Sequence, residues 1–240
     1  MATIEAIGLS KRYGARNALD GLTFAADAGD VIGLLGPNGA GKTTTIRLLT
    51  TILEPSGGTF TVAGVPGDQP HRIRQRIGVL PESAGYPLRQ TGAEYLHYTA
   101  RLFGRNRRDA RAAAERLLAD VGLGDRAGTR ISTYSRGMKQ RLGIARALIN
   151  DPAVVFLDEP ALGLDPAGQR EILATIGDIA GRRGATVVLS THTLTEVEQV
   201  CGSVLILDQG VLRAAGPIDD VVAGAGSLSD AFLRLTEGRP

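Results

Sequence analysis

A glycine-rich stretch of this chain has the residue types and spacing of a loop that binds phosphate. Residues 36–44 read G-P-N-G-A-G-K-T-T, and the glycines of such a loop let successive backbone N–H groups point at phosphate oxygens. Lys42 would reach the β- and γ-phosphates of a nucleoside triphosphate, and the Thr43 hydroxyl would ligate Mg2+. The alternative is a glycine-rich turn that binds nothing. The scarcity of lysine elsewhere, at Lys11 and Lys139 only, argues against it.

A pair of adjacent carboxylates follows an apolar run farther along the chain. Asp158 and Glu159 come directly after residues 153–157, which are typical of a strand buried on both faces. Asp158 is then placed to ligate the same Mg2+, and Glu159 to act as a general base or to position a water toward the γ-phosphate. Glu82, shortly after the apolar run 77–80, is a further candidate ligand. The alternative for each acid is a solvated turn.

Two ring-bearing residues are weaker candidates for the same site. His192 follows the apolar run 185–189 and could hydrogen-bond the γ-phosphate or orient the attacking water. Tyr13 could stack its ring on a base. An isolated histidine is more often structural, and one tyrosine in a hairpin is little support by itself.

The elements that would position these groups form an α/β pattern. The apolar run 31–35, the glycine-rich loop and an amphipathic segment at 46–52 predict strand, turn and helix. Three predicted strands end in reactive groups, and ligands of open α/β sheets bind outside the carboxyl ends of strands. We therefore expect the glycine-rich loop, Asp158-Glu159 and His192 to converge on one site.

The remaining patterns predict a helical insertion in this core. Alternating apolar residues at 4–9 and 19–24 predict an antiparallel hairpin, and residues 64–70 a loop. Helices are predicted at 94–103 and 109–121, followed by one that Ser135 caps. The single predicted unit of residues 1–240 thus has an α/β core with a β region at about 1–84 and 146–216, a helical subdomain at about 85–145 and a C-terminal tail at 217–240.

Composition excludes several classes of protein. The 240 residues carry a net charge of +2 without a long basic block, so we expect no nucleic-acid partner. No apolar run approaches the ~20 residues of a membrane span, and the start of the chain lacks the pattern of a signal peptide. Cys201 is the only cysteine, which fits a reducing cytosol.

Taken together, six motifs in one order resemble the nucleotide-binding subunit of an ABC transporter over residues 2–216. They are Tyr13, G-P-N-G-A-G-K-T-T at 36–44, Y-S-R-G-M-K-Q-R at 134–141, V-V-F-L-D-E-P at 154–160, G-L-D-P at 163–166 and S-T-H at 190–192. The resemblance implies an α/β P-loop NTPase core with a mainly parallel sheet, an N-terminal antiparallel β region and an inserted helical subdomain. It also implies an ATPase whose cofactors are ATP and Mg2+.

The resemblance further implies a head-to-tail dimer of two cassettes, alike or paralogous, that holds two ATP molecules and drives separate membrane-spanning permease subunits. The chain would then be cytoplasmic and peripheral on the inner face of the cell membrane. Ser135 and Gly137 would contact the γ-phosphate bound by the partner cassette, and Asp165 would link the two sites. The candidate catalytic residues are Lys42, Glu159 and His192, and the candidate metal ligands are Thr43, Glu82 and Asp158. The candidate nucleotide-binding residues are Tyr13, Gly36, Pro37, Asn38, Gly39, Ala40, Gly41, Lys42, Thr43, Thr44, Ser135, Gly137 and Asp165.

Two positions depart from the family pattern. The usual signature is L-S-G-G-Q, and this chain has Y-S-R-G-M with Arg136 as an added charge; Glu82 stands where the family usually has glutamine. Both departures and the tail are similar to bacterial drug and antibiotic exporters. Two other classes remain as alternatives. They are a soluble ABC ATPase that acts on ribosomes or DNA-repair complexes, and a P-loop kinase, which would leave the signature unexplained.

Overall fold

Strands and helices alternate through residues 2–236, which are the residues that the computed structural model describes. The strands are Ala2–Tyr13 (β1), Arg16–Asp27 (β2), Val31–Leu35 (β3), Gly57–Val62 (β4), Val65–Pro66 (β5), Ile77–Leu80 (β6), Val154–Asp158 (β7), Thr186–Thr191 (β8), Ser203–Asp208 (β9) and Val211–Pro217 (β10). The α-helices are Lys42–Leu49 (α1), Pro70–Arg74 (α2), Gly92–Leu102 (α3), Arg107–Asp120 (α4), Arg136–Ala147 (α5), Pro166–Arg183 (α6), Leu194–Val200 (α7), Ile218–Val222 (α8) and Leu228–Thr236 (α9).

The strands form two sheets. Strands β2, β1, β4 and β5 make an antiparallel sheet in that order, and the second sheet has the order β10-β9-β3-β8-β7-β6. In the second sheet all neighbours pair in parallel except β9 and β10. The predicted α/β fold, with a mainly parallel sheet and an N-terminal antiparallel region, is confirmed.

The N-terminal strands are longer than their apolar patterns indicated. Runs at 4–9 and 19–24 were the predicted strands, whereas β1 and β2 have twelve residues each. Pairing continues from Ala2 opposite Asp27 to Tyr13 opposite Arg16, with several shifts of register. Such β-bulges break the alternation that sequence patterns depend on while leaving the strands paired.

Strand β7, next to the edge strand β6, separates two parts of the core. Val154 and Phe156 pack toward α1 and the antiparallel sheet, whereas Val155 and Leu157 pack toward α5, α6 and the helical segment. All four side chains are fully buried. Because alternate residues of a strand point to opposite faces, an unbroken apolar sequence is what a strand between two layers requires.

The helical segment is built from α3, α4 and α5. Thr91 and Glu94 form a capping box at the start of α3, and Ser135 Oγ accepts the N–H of Met138 at the start of α5, as predicted. Both arrangements satisfy backbone donors that a helix start leaves free. Helix α5 continues to Ala147 and joins this segment to the core, so the division at 85–145 remains a proposal.

An ion-pair cluster also links the helical segment to the core. Asp151, just before β7, lies 2.7 Å from Arg105, 3.3 Å from Arg116 and 3.7 Å from Arg183. Arg183, at the end of α6, also lies 2.6 Å from Asp120 in α4. The cluster therefore connects α4 with α6 and with the start of β7.

Some elements differ from the predictions. The predicted loop at 64–70 contains the short strand β5, and α2 begins at its last residue, Pro70. Helix α7 had no predicted counterpart, because its seven residues are too few for a clear apolar period. The predicted tail 217–240 contains α8 and α9, and its residues 237–240 lie outside the described residues.

Candidate nucleotide-binding site

The predicted reactive groups lie at one edge of the parallel sheet. The glycine-rich loop follows β3, Asp158 ends β7, His192 follows β8 and Glu82 follows β6. These four strands are consecutive neighbours in the sheet and run parallel, so their carboxyl ends meet at a single edge. A cleft of about 490 Å3 opens there. It is lined by residues 37–44 together with Arg16, Ala18, Glu82, Glu159, Leu162 and His192.

At Gly41 the glycine-rich loop lies too close to β2 to leave room for a side chain. Gly41 has φ +110°, and a Cβ there would lie 2.9 Å from the carbonyl oxygen of Ala18. The loop is also fixed from the side of the β9–β10 turn, since the N–H of Gly210 donates to the carbonyl of Ala40 at 2.9 Å. The backbone between β3 and α1 is therefore held in one arrangement by β2 and by this turn.

Lys42 is the buried cation of the cleft. Its residue is 7% exposed, Nζ donates to the carbonyl of Gly36 at 2.6 Å, and Nζ lies 3.9 Å from Glu159 Oε1. Burial lowers the pKa of the Lys42 ammonium, and the carboxylates of Glu159, Asp158 and Glu82 oppose that shift. The ammonium is thus placed at the base of the loop, among acids that favour its charged form.

Asp158 is a buried carboxylate with two hydroxyl partners. It is 4% exposed; Ser190 Oγ donates to its Oδ1, and Thr43 Oγ1 lies 3.5 Å from the same oxygen. The contact with Thr43 joins the first residues of α1 to the end of β7. The two predicted metal ligands Thr43 and Asp158 are therefore adjacent, and Glu82 lines the same cleft.

Glu159 and His192 form a second contact in the cleft. Nδ1 of His192 lies 3.0 and 3.1 Å from the two carboxylate oxygens of Glu159. The Glu159 side chain is 11% exposed and that of His192 is 48% exposed. Glu159 has φ +50°, a conformation that is costly for a residue with a side chain. Its N–H donates to the carbonyl of Ser190 at 3.0 Å, which holds it there.

The remaining predicted residues lie elsewhere. Tyr13 is 48% exposed at the end of β1, with Lys11 Nζ 5.4 Å from its ring centre. It is not among the lining residues of the cleft, whereas Arg16 is. Ser135, Gly137 and Asp165 line a separate concavity of about 380 Å3. Asp165 caps α6 there by accepting the N–H of Gly168 at 2.7 Å.

Arg136, the charged residue of the signature, lies against the loop that carries Asp165. A Cβ added to Gly163 would lie 2.5 Å from a terminal nitrogen of Arg136, and Gly163 has φ +69°. The guanidinium therefore lies directly against Gly163, whose positive φ favours glycine. Arg136 thus connects the start of α5 to the loop before α6.

Sequence reasoning missed Ser190, Arg16 and Gln140. Ser190 is fully buried and contacts both acids, and Gln140 Nε2 donates to the carbonyl of Pro160 at 2.8 Å. For Ser190 and Gln140 a signal was present, since both lie inside the motifs at 190–192 and 134–141. Arg16 has no such signal, because its place at the cleft depends on the pairing of β1 with β2.

Comparisons with known proteins agree with this geometry. The family model described as ABC transporter matches residues 19–162. The linearmycin resistance ATP-binding protein LnrL of Bacillus subtilis (strain 168) is 36% identical over 235 residues, which cover 97% of this chain and 74% of that protein. The Nod factor export ATP-binding protein I of Paraburkholderia xenovorans (strain LB400) is 39% identical over 223 residues, covering 92% and 73%. A solved ATP binding subunit of an ABC transporter superposes with a TM-score of 0.86 at 32% identity, covering 97% and 99%.

The fold and the cleft define an ATPase of the P-loop class, with a helical segment inserted in its core. The chain belongs to the ABC transporter family and is an ATP-binding subunit of that family.

The contacts of Ser190 lead to a testable prediction. Ser190→Ala removes the hydroxyl that donates to Asp158, which leaves a buried carboxylate with one partner fewer. We expect the free energy of unfolding to fall by about 1–3 kcal/mol, as measured by urea denaturation. Ser229→Ala, at an exposed position of α9, is the control. An equal effect of both substitutions would contradict the importance of this contact.

Proposed function

We propose that this chain binds Mg2+ and ATP in the cleft at the carboxyl edge of the parallel sheet and hydrolyses the γ-phosphate. The observation that carries the proposal is the meeting of Lys42 and Thr43, at the start of α1, with Asp158 and Glu159, at the end of β7, beside that cleft. The loop N–H groups and the first turn of α1 would hold the phosphates, and Lys42 would balance their charge.

Thr43, Asp158 and Glu82 have the donor chemistry that Mg2+ requires. All three offer hard oxygen atoms, and Mg2+ is usually held by one or two carboxylates together with waters and substrate phosphates. Within residues 2–236 no three His, Cys, Asp or Glu side chains are placed to hold a metal ion by themselves, so Mg2+ here would depend on phosphate and water oxygens as well. When bound, Mg2+ would neutralise charge on the β- and γ-phosphates.

Glu159 would act on the attacking water. Its carboxylate is mostly buried next to Lys42 and His192, and it faces the cleft that the triphosphate would occupy. A carboxylate in that place can accept a proton from the water or hold it in line with the γ-phosphate. His192, anchored to Glu159 through Nδ1, would present its other ring nitrogen to the same region.

The second concavity would serve a partner cassette. Ser135, Gly137 and Asp165 line it, and none of them lines the cleft of their own chain. Ser135 opens α5, where backbone N–H groups and the helix dipole favour an anion. We infer a head-to-tail dimer in which Ser135 and Gly137 reach the γ-phosphate held by the other chain. In the simplest case the partner is a second copy.

Membrane-spanning permease subunits would be the second kind of partner. No helix within residues 2–236 is long and apolar enough to cross a membrane. Exposed apolar side chains lie on the helical segment and beside it, at Leu88, Tyr98, Leu102 and Phe103. A groove of about 310 Å3 runs between Phe103 and Ile52 of the core. A permease segment would fill it at the inner face of the cell membrane.

Tyr86 lies beneath this surface. Its hydroxyl donates to the carbonyl of Lys139 at 2.7 Å, its ring packs edge-on against Tyr95, and burial raises its pKa to about 12. Tyr86 would therefore support the docking surface from inside, while Leu88 would contact the permease.

The direction of transport is proposed to be export. The two relatives reported above are named for antibiotic resistance and for export, and they match this chain over nearly its whole length. These names favour transport over the alternative of a soluble ABC ATPase on ribosomes or DNA-repair complexes. A P-loop kinase would leave the concavity around Ser135 without a use.

Replacement of Glu159 tests its assigned part in hydrolysis. Glu159→Gln keeps the shape of the side chain but removes the base, so phosphate release should fall by about a hundredfold or more. Equilibrium binding of ATP should persist, and the dimer should accumulate. Glu198→Gln, at an exposed position of α7, should behave as wild type. Unchanged turnover of Glu159→Gln would rule out this part for Glu159.

Mixing two inactive variants tests whether Ser135 acts on the partner's ATP. Ser135→Arg disables one signature and Lys42→Ala one phosphate loop. In a mixed dimer, the intact loop of one chain meets the intact signature of the other. Equal amounts should regain about a quarter of wild-type phosphate release, since half of the dimers are mixed and each has one complete site. No recovery would mean that Ser135 acts within its own chain or not at all.

Co-purification tests the permease. A tagged chain isolated from detergent-solubilised membranes of its native cells should bring a polytopic membrane protein in near-equal amount. Leu88→Asp should lose that protein, because a charge would face an apolar contact. Leu233→Asp changes an exposed leucine of α9 and should retain it. Recovery of ribosomal or repair proteins alone would favour the soluble alternative.

A further inference from the structure

A buried pair of side chains fixes the turn that carries His192. Thr191 is fully buried and Glu196 is 6% exposed, and Thr191 Oγ1 donates to Glu196 Oε2 at 2.7 Å. The same Oγ1 accepts the backbone N–H of Thr193 at 3.0 Å. One hydroxyl therefore ties the residues on both sides of His192 to each other and to the first turn of α7.

The His192 ring depends on this turn for its place. Its side chain is 48% exposed, and within residues 2–236 the hydrogen bond that the structure gives to the ring is the one with Glu159. An exposed ring with a single anchor takes its position chiefly from its backbone. The backbone on either side of it is held by Thr191 Oγ1.

The position of Glu196 carries a cost that an exposed acid would not have. Burial raises the pKa of the Glu196 carboxyl; the hydrogen bond from Thr191 opposes the shift, Glu159 adds to it and His192 opposes it. Glu196 is thus close enough to both site residues to interact with their charges. A buried carboxyl group is retained at a cost in free energy, and such groups cluster at functional sites.

We propose that Glu196 is a positioning residue for ATP hydrolysis, which acts through Thr191 on His192 and so on the contact between His192 and Glu159. The inference rests on the proposed function, since it assigns Glu196 to the reaction of the same cleft. Glu196 does not line that cleft, so it would act without touching the bound nucleotide.

Removal of the hydroxyl is the first test. Thr191→Val keeps the size of the side chain and leaves Glu196 and the N–H of Thr193 without their partner. We expect kcat for ATP hydrolysis to fall about tenfold and the KM for ATP to stay within about twofold, because the glycine-rich loop and Lys42 are left in place. Thr191→Ser keeps the hydroxyl and should restore most of kcat. Glu196→Met, which removes the acceptor, should resemble Thr191→Val.

Matched controls separate this effect from general damage to α7. Thr195→Val and Glu198→Met make the same chemical changes at exposed positions of the same helix and should leave kcat unchanged. An equal loss of kcat in these controls, or a failure of Thr191→Ser to recover activity, would overturn the proposal. So would a fall in ATP affinity as large as the fall in kcat.

A double-mutant cycle tests whether the effect passes through His192. In a His192→Ala background, Thr191→Val should lower kcat by less than about twofold, because the residue that it positions is already gone. An additive loss would mean that Thr191 and Glu196 act by another route, and would overturn the proposal.

A spectroscopic measurement keeps the inference testable apart from turnover. The chain has three histidines, His71, His97 and His192, so their ring 15N signals can be assigned by single replacements. Thr191→Val should shift the signals of His192 and leave those of His71 and His97 in place. Absence of phosphate release by the wild-type chain would refute the proposed function, while unchanged His192 signals would refute the positioning of His192.

Discussion

The site is organised around a buried negative charge. Asp158 ends the buried strand β7 with little access to water, and a carboxylate in that place must find partners within the protein. Its partners come from the two elements that flank the cleft, the hydroxyl of Ser190 on β8 and that of Thr43 on α1. These hydrogen-bonding contacts of Asp158 therefore hold together the end of the phosphate loop, the acidic pair after β7 and the strand β8 that precedes His192. The same Ser190 also holds Glu159 in its unfavourable backbone conformation, so that one buried polar group fixes both acids.

This arrangement is only possible because β7 is covered on both sides. Its alternate side chains pack toward the antiparallel sheet with α1 and toward the helical segment. The parallel strands therefore carry mostly apolar side chains along their length, and the polar groups of the site come at or just after their carboxyl ends. The functional side chains lie at that edge because the strands leave the apolar core there. The second concavity at Ser135 lies outside this core, which is consistent with a contribution to another chain.

Much of the site could be predicted from sequence because its residues lie in short motifs directly after apolar runs. The glycine-rich loop, Asp158, Glu159 and His192 are of this kind, and each strand end that carried them was located to within a few residues. Contacts between distant elements were not predictable in this way. Ser190 meets Asp158 across 32 positions of the chain, and Arg16 reaches the cleft through strand pairing. Thr191 and Glu196 are only five positions apart, yet no sequence pattern pointed to their contact. Both side chains are buried, and whether a polar residue is buried depends on the whole fold rather than on its neighbours in sequence.

The ion pairs between Asp151 and the nearby arginines make the join between the helical segment and the core sensitive to ionic strength. The side chains of Asp151 and Arg116 are 54% exposed, and those of Arg105 and Arg183 about a quarter. Attraction between exposed charges weakens as dissolved ions accumulate around them, over a Debye length of about 8 Å at physiological ionic strength. The apolar contacts between the helical segment and the core carry no charge and are not screened in this way. Added salt should therefore weaken the ion-paired edge of this join and leave its apolar contacts in place.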